Sequence, residues 1–404
     1  MHKLGEVIIS ITNRCNSSCK MCDIPKLSLD ELSTSEWKAV IKDAALLGAS
    51  TVVFSGGEPL LRQDLFELIA FSKSQKLSAC ITSNGLLLDE ECAAKLSGAG
   101  VNVVNISIEG GEEIHDYLRG KGSFRKAILA LGALKKNNIE STIATMVSRY
   151  NYKYLKYIAE LAVTYGVTTL KLQPFNVMFL IDKSKERDFL LSRREAVELT
   201  HIIKEMTQIC KHNGITTNPF GYLERLPSYL SKNFSHTTSA CKSLWTSCPI
   251  NARGDIYPCW VLAHDATIVG NVKEKKLTEL WNSQQHIMIR EKIKEKGCCG
   301  CMMSCYDESF GDDSFTGKIT VNIERLKKDG VREFMRKKVR MVSKRFQFYR
   351  AYRGPLRNIV VRGKRYFKRE KLPSLSLGTE EVERVQKDIE KVKKMFKEKI
   401  EFLS

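Results

Sequence analysis

The stretch that decides the fold is GEVIISITNRCNSSCKMC, residues 5–22. Its first part, 5–12, is an apolar run typical of a buried β-strand. Three cysteines follow directly, Cys15, Cys19 and Cys22. In a parallel βα fold, the loop that leaves the carboxyl end of a strand lies where active sites are built. The stretch therefore predicts a strand that carries a thiol-rich loop to the mouth of a barrel.

Three thiolates on one short loop can hold three irons of a cubane cluster and leave the fourth iron without a protein ligand. The alternatives are a zinc knot or chance clumping. Zinc sites usually close with four protein ligands, and no fourth Cys or His lies near this loop in the sequence. The loop therefore favours an iron-sulfur cluster with one open iron.

Short apolar runs alternate with amphipathic helical stretches over the first 175 residues. Such alternation predicts parallel strands with helices on their outer face. Six runs are too few for a closed eight-stranded barrel. The sequence therefore predicts an α/β fold with an open, partial (βα)6 TIM-like barrel. The predicted strands are 5–12, 50–55, 77–82, 101–108, 141–147 and 168–173, and the first two helices are 35–47 and 64–73.

Polar residues follow successive strands at the same predicted mouth. The second strand is followed by GGEP, residues 56–59, in which glycines allow close approach to the backbone and a carboxylate can receive an ammonium group. The third strand ends in TSNG, residues 82–85, and the fourth in SIEG, residues 107–110. Each segment alone is compatible with an ordinary turn. Their order on successive strands predicts one shared site.

These motifs resemble the radical S-adenosylmethionine (radical SAM) superfamily, whose hallmark is a C-x3-C-x2-C loop with an apolar residue before the last cysteine, here Met21. The resemblance implies a 4Fe-4S cluster on Cys15, Cys19 and Cys22, reduced by a low-potential donor of the flavodoxin or ferredoxin type. It implies cleavage of S-adenosylmethionine to a 5'-deoxyadenosyl radical that abstracts a substrate hydrogen atom. The implied contacts to S-adenosylmethionine are Gly56, Gly57, Glu58, Pro59, Ser83, Asn84, Ser107 and Glu109.

Other polar residues near these strand ends carry a weaker signal. The weaker candidates are Arg119, Ser123, Ser148 and Asn151, and no role is assigned to His115, Asp116 or His264, since a lone His or Asp near a turn is more often structural.

A second group of cysteines lies between 241 and 305, where seven of the 13 cysteines occur. The segment resembles the SPASM or twitch module that follows many radical SAM enzymes, and this resemblance implies an auxiliary 4Fe-4S cluster. The implied ligands are Cys241, Cys259, Cys298 and Cys301. Cys299 could take the place of Cys298 as a ligand. Either Cys248 or Cys305 could also substitute for one of the four. A zinc ribbon is the alternative to a cluster. The remaining cysteines, Cys80, Cys92 and Cys210, are predicted to pack in the interior.

The predicted organisation has four parts: a barrel (1–182), a helical linker (183–240), the cysteine-rich domain (241–310) and a basic, mainly helical extension (311–404). The chain has a net charge of +19, and residues 321–404 hold 26 Lys and Arg against 11 Asp and Glu. Apolar residues recur at helical spacing from Val382 to Phe396. That spacing fits a helix that docks on another surface. Residues 331–369 predict a basic amphipathic helix with aromatics, which can pack on the enzyme, lie on an anionic membrane surface or receive a polyanion.

No signal peptide or membrane-spanning apolar run is evident, so we expect a cytoplasmic protein, with peripheral membrane contact as an open alternative. The expected function is that of a radical SAM oxidoreductase or maturase acting on a peptide or small metabolite. The first strand begins near residue 5, which leaves no room for a leader-binding domain and weakens the peptide alternative. A non-catalytic iron-sulfur or zinc protein that binds nucleic acid or membrane through the basic extension is the second hypothesis.

Overall fold

The structure, a computed structural model, describes residues 3–27, 30–233, 243, 245–263, 267–296 and 301–303. The predicted basic extension and the ligand candidates Cys241, Cys298, Cys299 and Cys305 lie outside the described residues, as does His264.

Strands and helices alternate along the described chain. The strands are β1 (Glu6–Thr12), β2 (Thr51–Gly56), β3 (Ser78–Ser83), β4 (Val103–Ser107), β5 (Glu140–Val147), β6 (Thr169–Pro174), β7 (Thr216–Thr217), β8 (Ser247–Ile250), β9 (Asp255–Ile256) and β10 (Gly270–Asn271). The helices are α1 (Thr34–Leu46), α2 (Leu65–Ser74), α3 (Glu90–Ala99), α4 (Glu112–Arg119), α5 (Ser123–Lys136), α6 (Leu155–Tyr165), α7 (Arg193–His212), α8 (Phe220–Leu230), α9 (Leu277–Leu280) and α10 (Gln284–Lys296).

All the strands join one sheet in the order β10-β9-β8-β1-β2-β3-β4-β5-β6-β7. Strands β1 to β6 are parallel neighbours in chain order, and each predicted strand lies within two residues of the observed one. The predicted α/β class and the six-unit partial barrel are confirmed. Parallel order places the carboxyl ends of all six strands at one edge, where the loops that carry the motifs emerge.

The two faces of β1 contact different parts of the molecule. Val7, Ile9 and Ile11 are fully buried in the main core, which the outer helices share. Ile8 points to the other face and packs in a second, smaller cluster. The alternation follows from the two-residue period of a strand, and it gives the barrel an inner face that is separate from its helix-packed outer face.

Local capping fixes where two of the helices begin. Ser33 and Glu36 form a capping box at the start of α1, and Ser192 and Glu195 form a second one at the start of α7. The predicted helical pattern from 183 onward differs in its first part, because residues Lys183–Phe189 form a 3-10 helix. The cap at Ser192 therefore begins a separate helix, α7, which does not continue the 3-10 helix Lys183–Phe189.

The sheet continues beyond the predicted barrel at both edges. β7 pairs with β6, and β8 pairs in parallel with β1 through Glu6–Ile9. β9 and β10 then add antiparallel pairs. The first strand of the cysteine-rich segment is therefore part of the same sheet as β1, which fixes that segment beside the cysteine loop's own strand.

None of the helices in the described ranges is long and apolar enough to cross a membrane.

Candidate active site

The cysteine loop, residues 13–22, follows β1 with an alternating pattern of exposure. Cys15 and Cys19 are half-buried, whereas Asn16, Ser18 and Lys20 between and beside them are exposed. Cys22 is also half-buried. Cys15 and Cys19 therefore lie on the more covered side of the loop, and the residues between them lie on its solvent side.

Glycines allow the end of β2 to lie directly against this loop. The amides of Gly57 and Glu58 donate to the carbonyl oxygens of Thr12 and Arg14, at 2.7 and 2.8 Å. A Cβ on Gly57 would collide with the Arg14 carbonyl, and one on Gly56 with that of Thr12. The glycines were predicted to admit a ligand. The structure shows in addition that the backbone of the cysteine loop lies directly against them.

Gly57→Ala is expected to destabilise the protein by about 1–3 kcal/mol, as overpacking against backbone does, and to lower the iron retained after reconstitution. Urea unfolding and an iron assay measure both effects. Gly98→Ala is the matched control, because a Cβ at Gly98 in α3 meets nothing within 4 Å and alanine favours a helix by up to about 1 kcal/mol. An unchanged stability and iron content in Gly57→Ala would contradict the packing role.

Glu58 connects the GGEP segment to the end of β3. Its carboxylate is fully buried and accepts hydrogen bonds from Ser83 Oγ at 2.9 Å, the Asn84 amide at 2.8 Å and the Leu60 amide at 3.2 Å. Burial raises the pKa of Glu58. Asn84 Nδ2 in turn lies 3.8 Å from Cys15 Sγ. Glu58 thus orients Asn84 toward the first cysteine.

Glu109 and Arg119 form a buried ion pair beside the second cysteine. Arg119 Nη2 and Nε donate to Glu109 Oε1 at 2.6 and 2.9 Å, and Arg119 Nη1 lies 3.8 Å from Cys19 Sγ. Glu109 Oε2 accepts from the Met146 amide at 2.9 Å and from Asn151 Nδ2 at 3.4 Å. Burial acts to raise the pKa of Glu109 and the guanidinium opposes it. Because both oxygens accept N–H donors, we describe the pair as ionised.

His115 accepts a hydrogen bond from the backbone next to this pair and is not placed as a catalytic acid or base. Its ring is fully buried, and its Nδ1 accepts the Glu109 amide at 3.2 Å. Burial lowers the pKa of His115 to about 3, so the ring is neutral at physiological pH and carries its hydrogen on Nε2. The residue fixes the turn after β4.

Asp116 holds the start of α5. Its carboxylate accepts the Gly122 amide at 2.6 Å, the Phe124 amide at 2.9 Å and Ser123 Oγ at 3.3 Å. Burial alone would raise the pKa of Asp116, but the hydrogen bonds outweigh it and hold the pKa below its ordinary value. Asp116 and the weak candidate Ser123 therefore have a structural part in the loop between α4 and α5.

Asp116→Ala is expected to cost about 1 kcal/mol near pH 7, because two partly buried amides lose their acceptor. A carboxyl with a lowered pKa stabilises the fold above its unfolded value of 3.8, and that contribution is lost as the pH falls through the folded pKa. Urea unfolding over a pH series should therefore show the cost shrinking below that value. Glu113→Ala, an exposed change on the same helix, is the control. A cost that stays constant into acid would contradict the assignment.

The donor set fits an iron-sulfur cluster. Besides the contacts from Asn84 and Arg119, Ser17 Oγ lies 3.1 Å from Cys19 Sγ. Polar donors to sulfur stabilise thiolates and tune cluster potential. Burial raises the pKa of Cys15, and that of Cys22 to about 11, so metal ions have to displace those protons. In a cubane cluster each cysteine binds a different iron, so the three thiols need not converge on one point. Consistent with this, the described residues contain no group of three His, Cys, Asp or Glu side chains placed to bind a single metal ion.

Two of the four predicted auxiliary ligands lie in the described residues, and they pack in the same small cluster. Cys259 is buried there with Ile8 and Met303, and Cys301 packs against it. This cluster lies on the inner face of the barrel. Cys248, by contrast, is fully buried in the main core, opposite Val7 in the pairing of β8 with β1. The sheet therefore separates Cys248 from Cys259.

The remaining predicted residues vary in how closely they approach the thiols. Pro59 and Ser107 are buried at the ends of their strands, while Asn84 and Arg119 reach the sulfurs directly. Arg119 was a weak candidate because the sequence around it, YLRG, contains no recognisable motif, and its position beside Cys19 is apparent only in the folded chain. Of the predicted packing cysteines, Cys210 is buried in the core and Cys92 packs at its edge. Cys80 is only half-buried, since it lies on the inner face of β3.

Comparison with known proteins agrees with this geometry. The radical SAM superfamily profile matches residues 9–162, and that of the SPASM iron-sulfur cluster-binding domain matches residues 241–306. The AdoMet-dependent heme synthase of Methanosarcina barkeri is 27% identical over 317 residues, 72% of this chain and 86% of that protein. The PqqA peptide cyclase of Granulibacter bethesdensis is 30% identical over 293 residues, 68% of this chain and 73% of that protein. The structure of native anSMEcpe with bound AdoMet is 20% identical, covers 80% of this chain and 97% of its own, and gives a TM-score of 0.58.

Fold and site together define an iron-sulfur enzyme on a partial parallel barrel. The chain belongs to the radical SAM superfamily and carries a SPASM domain. Its cofactors are a 4Fe-4S cluster, S-adenosylmethionine and an auxiliary iron-sulfur cluster. When bound, the reduced cluster supplies the electron that cleaves S-adenosylmethionine, and the resulting 5'-deoxyadenosyl radical abstracts a hydrogen atom from substrate. This membership favours the enzyme over the non-catalytic hypothesis.

Proposed function

We propose that this protein is an oxidative maturase, in which the auxiliary cluster accepts an electron from the substrate after hydrogen abstraction. Cys15, Cys19 and Cys22 hold the first cluster in this proposal. Cys259 and Cys301 hold the auxiliary cluster together with Cys241 and Cys298, which lie outside the described residues. The domain boundaries at 182, 240 and 310 remain part of the same proposal.

The observation that carries the proposal is the position of Cys259 and Cys301 on the inner face of the barrel. Their cluster includes Ile8 from β1 and Phe179 from the segment that follows β6. The Asp23 amide, just after Cys22, donates to the Phe179 carbonyl at 2.7 Å. The same short segment therefore touches both the cysteine loop and the auxiliary cysteines, which supports a substrate held between the two centres.

The predicted cofactor contacts divide into two kinds in this proposal. Glu58 and Glu109 carry buried carboxylates that are already hydrogen-bonded, so we assign them to positioning. The amino, carboxylate and ribose groups of S-adenosylmethionine then bind to the other groups of this set. These are the backbone of 56–59 and, at the neighbouring strand ends, Ser83, Asn84 and Ser107. Arg119, beside Cys19, joins this set.

A peptide is our first substrate class. The relative with the higher identity of the two reported is named for cyclisation of the peptide PqqA, and the other is named as a heme synthase. A tetrapyrrole is therefore the second class. The proposal includes an electron donor of the flavodoxin or ferredoxin type, because reductive cleavage requires a low-potential donor. It also includes a cytoplasmic location.

The proposal is tested with anaerobically reconstituted full-length protein, dithionite and S-adenosylmethionine. We expect 5'-deoxyadenosine and methionine in equal amounts, and deuterium in the deoxyadenosine when a fully deuterated PqqA-type precursor peptide is supplied as the probe. A deuterated tetrapyrrole is the parallel arm. Deuterium transfer from the tetrapyrrole alone would overturn the peptide assignment.

The role of the auxiliary site is tested separately with Cys259→Ala. This variant is expected to retain deoxyadenosine formation and lose the oxidised product, because only the electron acceptor is removed. Cys92→Ala is the matched control, since Cys92 lies on α3 at the edge of the core. Full product formation by Cys259→Ala would contradict the electron-acceptor role.

A further inference from the structure

The inner face of the barrel is polar along β3 to β6 and carries one exposed lysine on β6. Leu170 and Leu172 are fully buried in the main core, while Lys171 between them is exposed. Because successive side chains of a strand alternate between its faces, Lys171 points into the barrel. Cys80 on β3 and Asn105 on β4 lie on the same face and are only half-buried. The inner face here is therefore not filled by packed side chains.

Cys80 and Lys171 face the same interior space. Their strands, β3 and β6, are separated in the sheet by β4 and β5. In a flat sheet, strands three positions apart are separated by about 14 Å. Burial raises the pKa of Cys80 to about 11, and the charge of Lys171 acts against that increase. This interaction indicates that the curvature of the sheet brings the two side chains toward each other.

The strand pairing gives the depth of Lys171 in the barrel. Lys171 pairs with Ala144 of β5, and Ala144 pairs with Ser107, which lies at the carboxyl end of β4. Met146, two residues beyond Ala144, donates its amide to Glu109. A step of two residues along a strand is about 7 Å. Lys171 therefore lies one inner-face position deeper than the buried ion pair at the mouth.

The wall of the barrel on the side of β1 and β2 is apolar. Ile8 of β1 packs there with Val53 of β2 and with Trp260, and Cys259 belongs to the same cluster. Binding pockets commonly combine an apolar lining with a few polar groups that fix the orientation of a ligand. A ligand that fits between this wall and Lys171 has an apolar body and an anionic group.

Two acids also face the inside of the barrel, but both lie deeper than Lys171. Glu6 and Glu140 are the first residues of β1 and β5. Glu6 accepts a hydrogen bond from Ser247 Oγ at 3.0 Å. Glu140 precedes the pairing partner of Lys171 by four residues, about 13 Å along the strand. Lys171 forms no ion pair with any residue of the described ranges. An anion that enters from the mouth therefore meets the lysine before either acid.

We propose that Lys171 binds a carboxylate group of the substrate and so holds the substrate between the two cysteine centres. This inference rests on the proposed function, since it names a contact of that same substrate. An ammonium group donates strong, charge-assisted hydrogen bonds to a carboxylate. An acidic side chain of a peptide and a propionate of a tetrapyrrole both supply this group. The lysine acts by binding alone, with no bond made or broken.

The test measures binding to the anaerobically reconstituted full-length protein by titration calorimetry. The probes are a PqqA-type precursor peptide and coproporphyrin III, each compared with a derivative in which every carboxylate is an amide. We expect Lys171→Met to weaken binding of one acid probe at least about tenfold, as loss of a hydrogen bond between charged groups does. Lys171→Arg, which keeps the charge, should bind that probe within about threefold of the wild type. The probe that responds shows whether a peptide side chain or a propionate supplies the carboxylate.

The amide derivatives separate a direct contact from damage to the fold. Wild type and Lys171→Met should bind the amide form of the responding probe within about twofold of each other, because the lysine then has no carboxylate to bind. Lys171→Gln, which keeps a polar side chain, should behave as Lys171→Met does, and it carries the comparison if Lys171→Met retains less iron. Equal weakening for the acid and amide forms would overturn the proposal.

Lys42→Met is the matched control, because Lys42 is exposed on α1 in the outer layer of the barrel. It removes the same charge and is expected to leave binding of both acid probes within about twofold of the wild type. Equal weakening by Lys42→Met and Lys171→Met, or no binding of either acid probe by the wild type, would also count against a carboxylate site at Lys171.

The binding experiment does not depend on cleavage of S-adenosylmethionine, which separates this inference from the proposed function. A wild-type protein that forms no deoxyadenosine with dithionite would reject the proposed function, while binding that depends on both the lysine and the carboxylate would still support the site. Normal deoxyadenosine formation together with binding that ignores Lys171 would reject the carboxylate site alone.

Discussion

Cys19→Ala is expected to abolish deoxyadenosine formation and to remove the loop cluster. Two polar side chains approach the Cys19 sulfur, Arg119 through Nη1 and Ser17 through Oγ. Without it, two thiols remain for the cluster, and the guanidinium faces a methyl group. We expect activity to fall by at least about a thousandfold, as it does when a group that assembles the site is lost. Iron and sulfide assays after reconstitution, with deoxyadenosine quantified by chromatography, give the measurement.

Cys92→Ala is the control for this change, because it removes a thiol from a helix without touching the loop. It should retain the iron, sulfide and activity of the wild type. Retention of deoxyadenosine formation in Cys19→Ala would show that the loop does not hold the reactive cluster.

Glu109→Ala is expected to be among the most destabilising single changes in the barrel. It leaves the Arg119 guanidinium, whose side chain is 16% exposed, without its carboxylate. Removal of one partner from a buried ion pair costs about 3–5 kcal/mol. The loss should also reach the cluster, because Arg119 is then free to move away from Cys19. Urea unfolding and iron retention test the two effects.

Glu112→Ala is the matched control on the neighbouring helix. Its carboxylate pairs with Arg125, but these side chains are 49% and 77% exposed. An exposed pair contributes up to about 1 kcal/mol, so Glu112→Ala should be nearly silent. Similar costs for Glu109→Ala and Glu112→Ala would show that burial of the first pair does not matter.

Much of the barrel could be predicted from sequence because its strands are buried apolar runs with a clear period. The strand at 5–12 was found for this reason. The cysteine loop was found because thiol spacing is a local pattern. The short strands β7 to β10 were not found, since two to four residues carry too little periodicity.

The electrostatic partners of the loop could not be predicted, because they meet only in the folded chain. Arg119 lies 100 positions from Cys19 in sequence, and Asn84 lies 69 positions from Cys15. The glycines at 56 and 57 were interpreted as room for a ligand, and the close approach of the loop backbone to them was not foreseen. A pair of glycines indicates that some group comes close to the backbone, but the sequence does not show whether that group is a ligand or another part of the chain.

In the proposed chemistry, the open iron of a loop-bound cluster binds S-adenosylmethionine. The most direct test is electron paramagnetic resonance of the reduced Cys259→Ala/Cys301→Ala protein, in which the loop cluster gives the signal. We predict that adding S-adenosylmethionine shifts that spectrum, since its amino and carboxylate groups become ligands of the open iron. A loaded cluster whose spectrum is identical with and without S-adenosylmethionine would contradict the account.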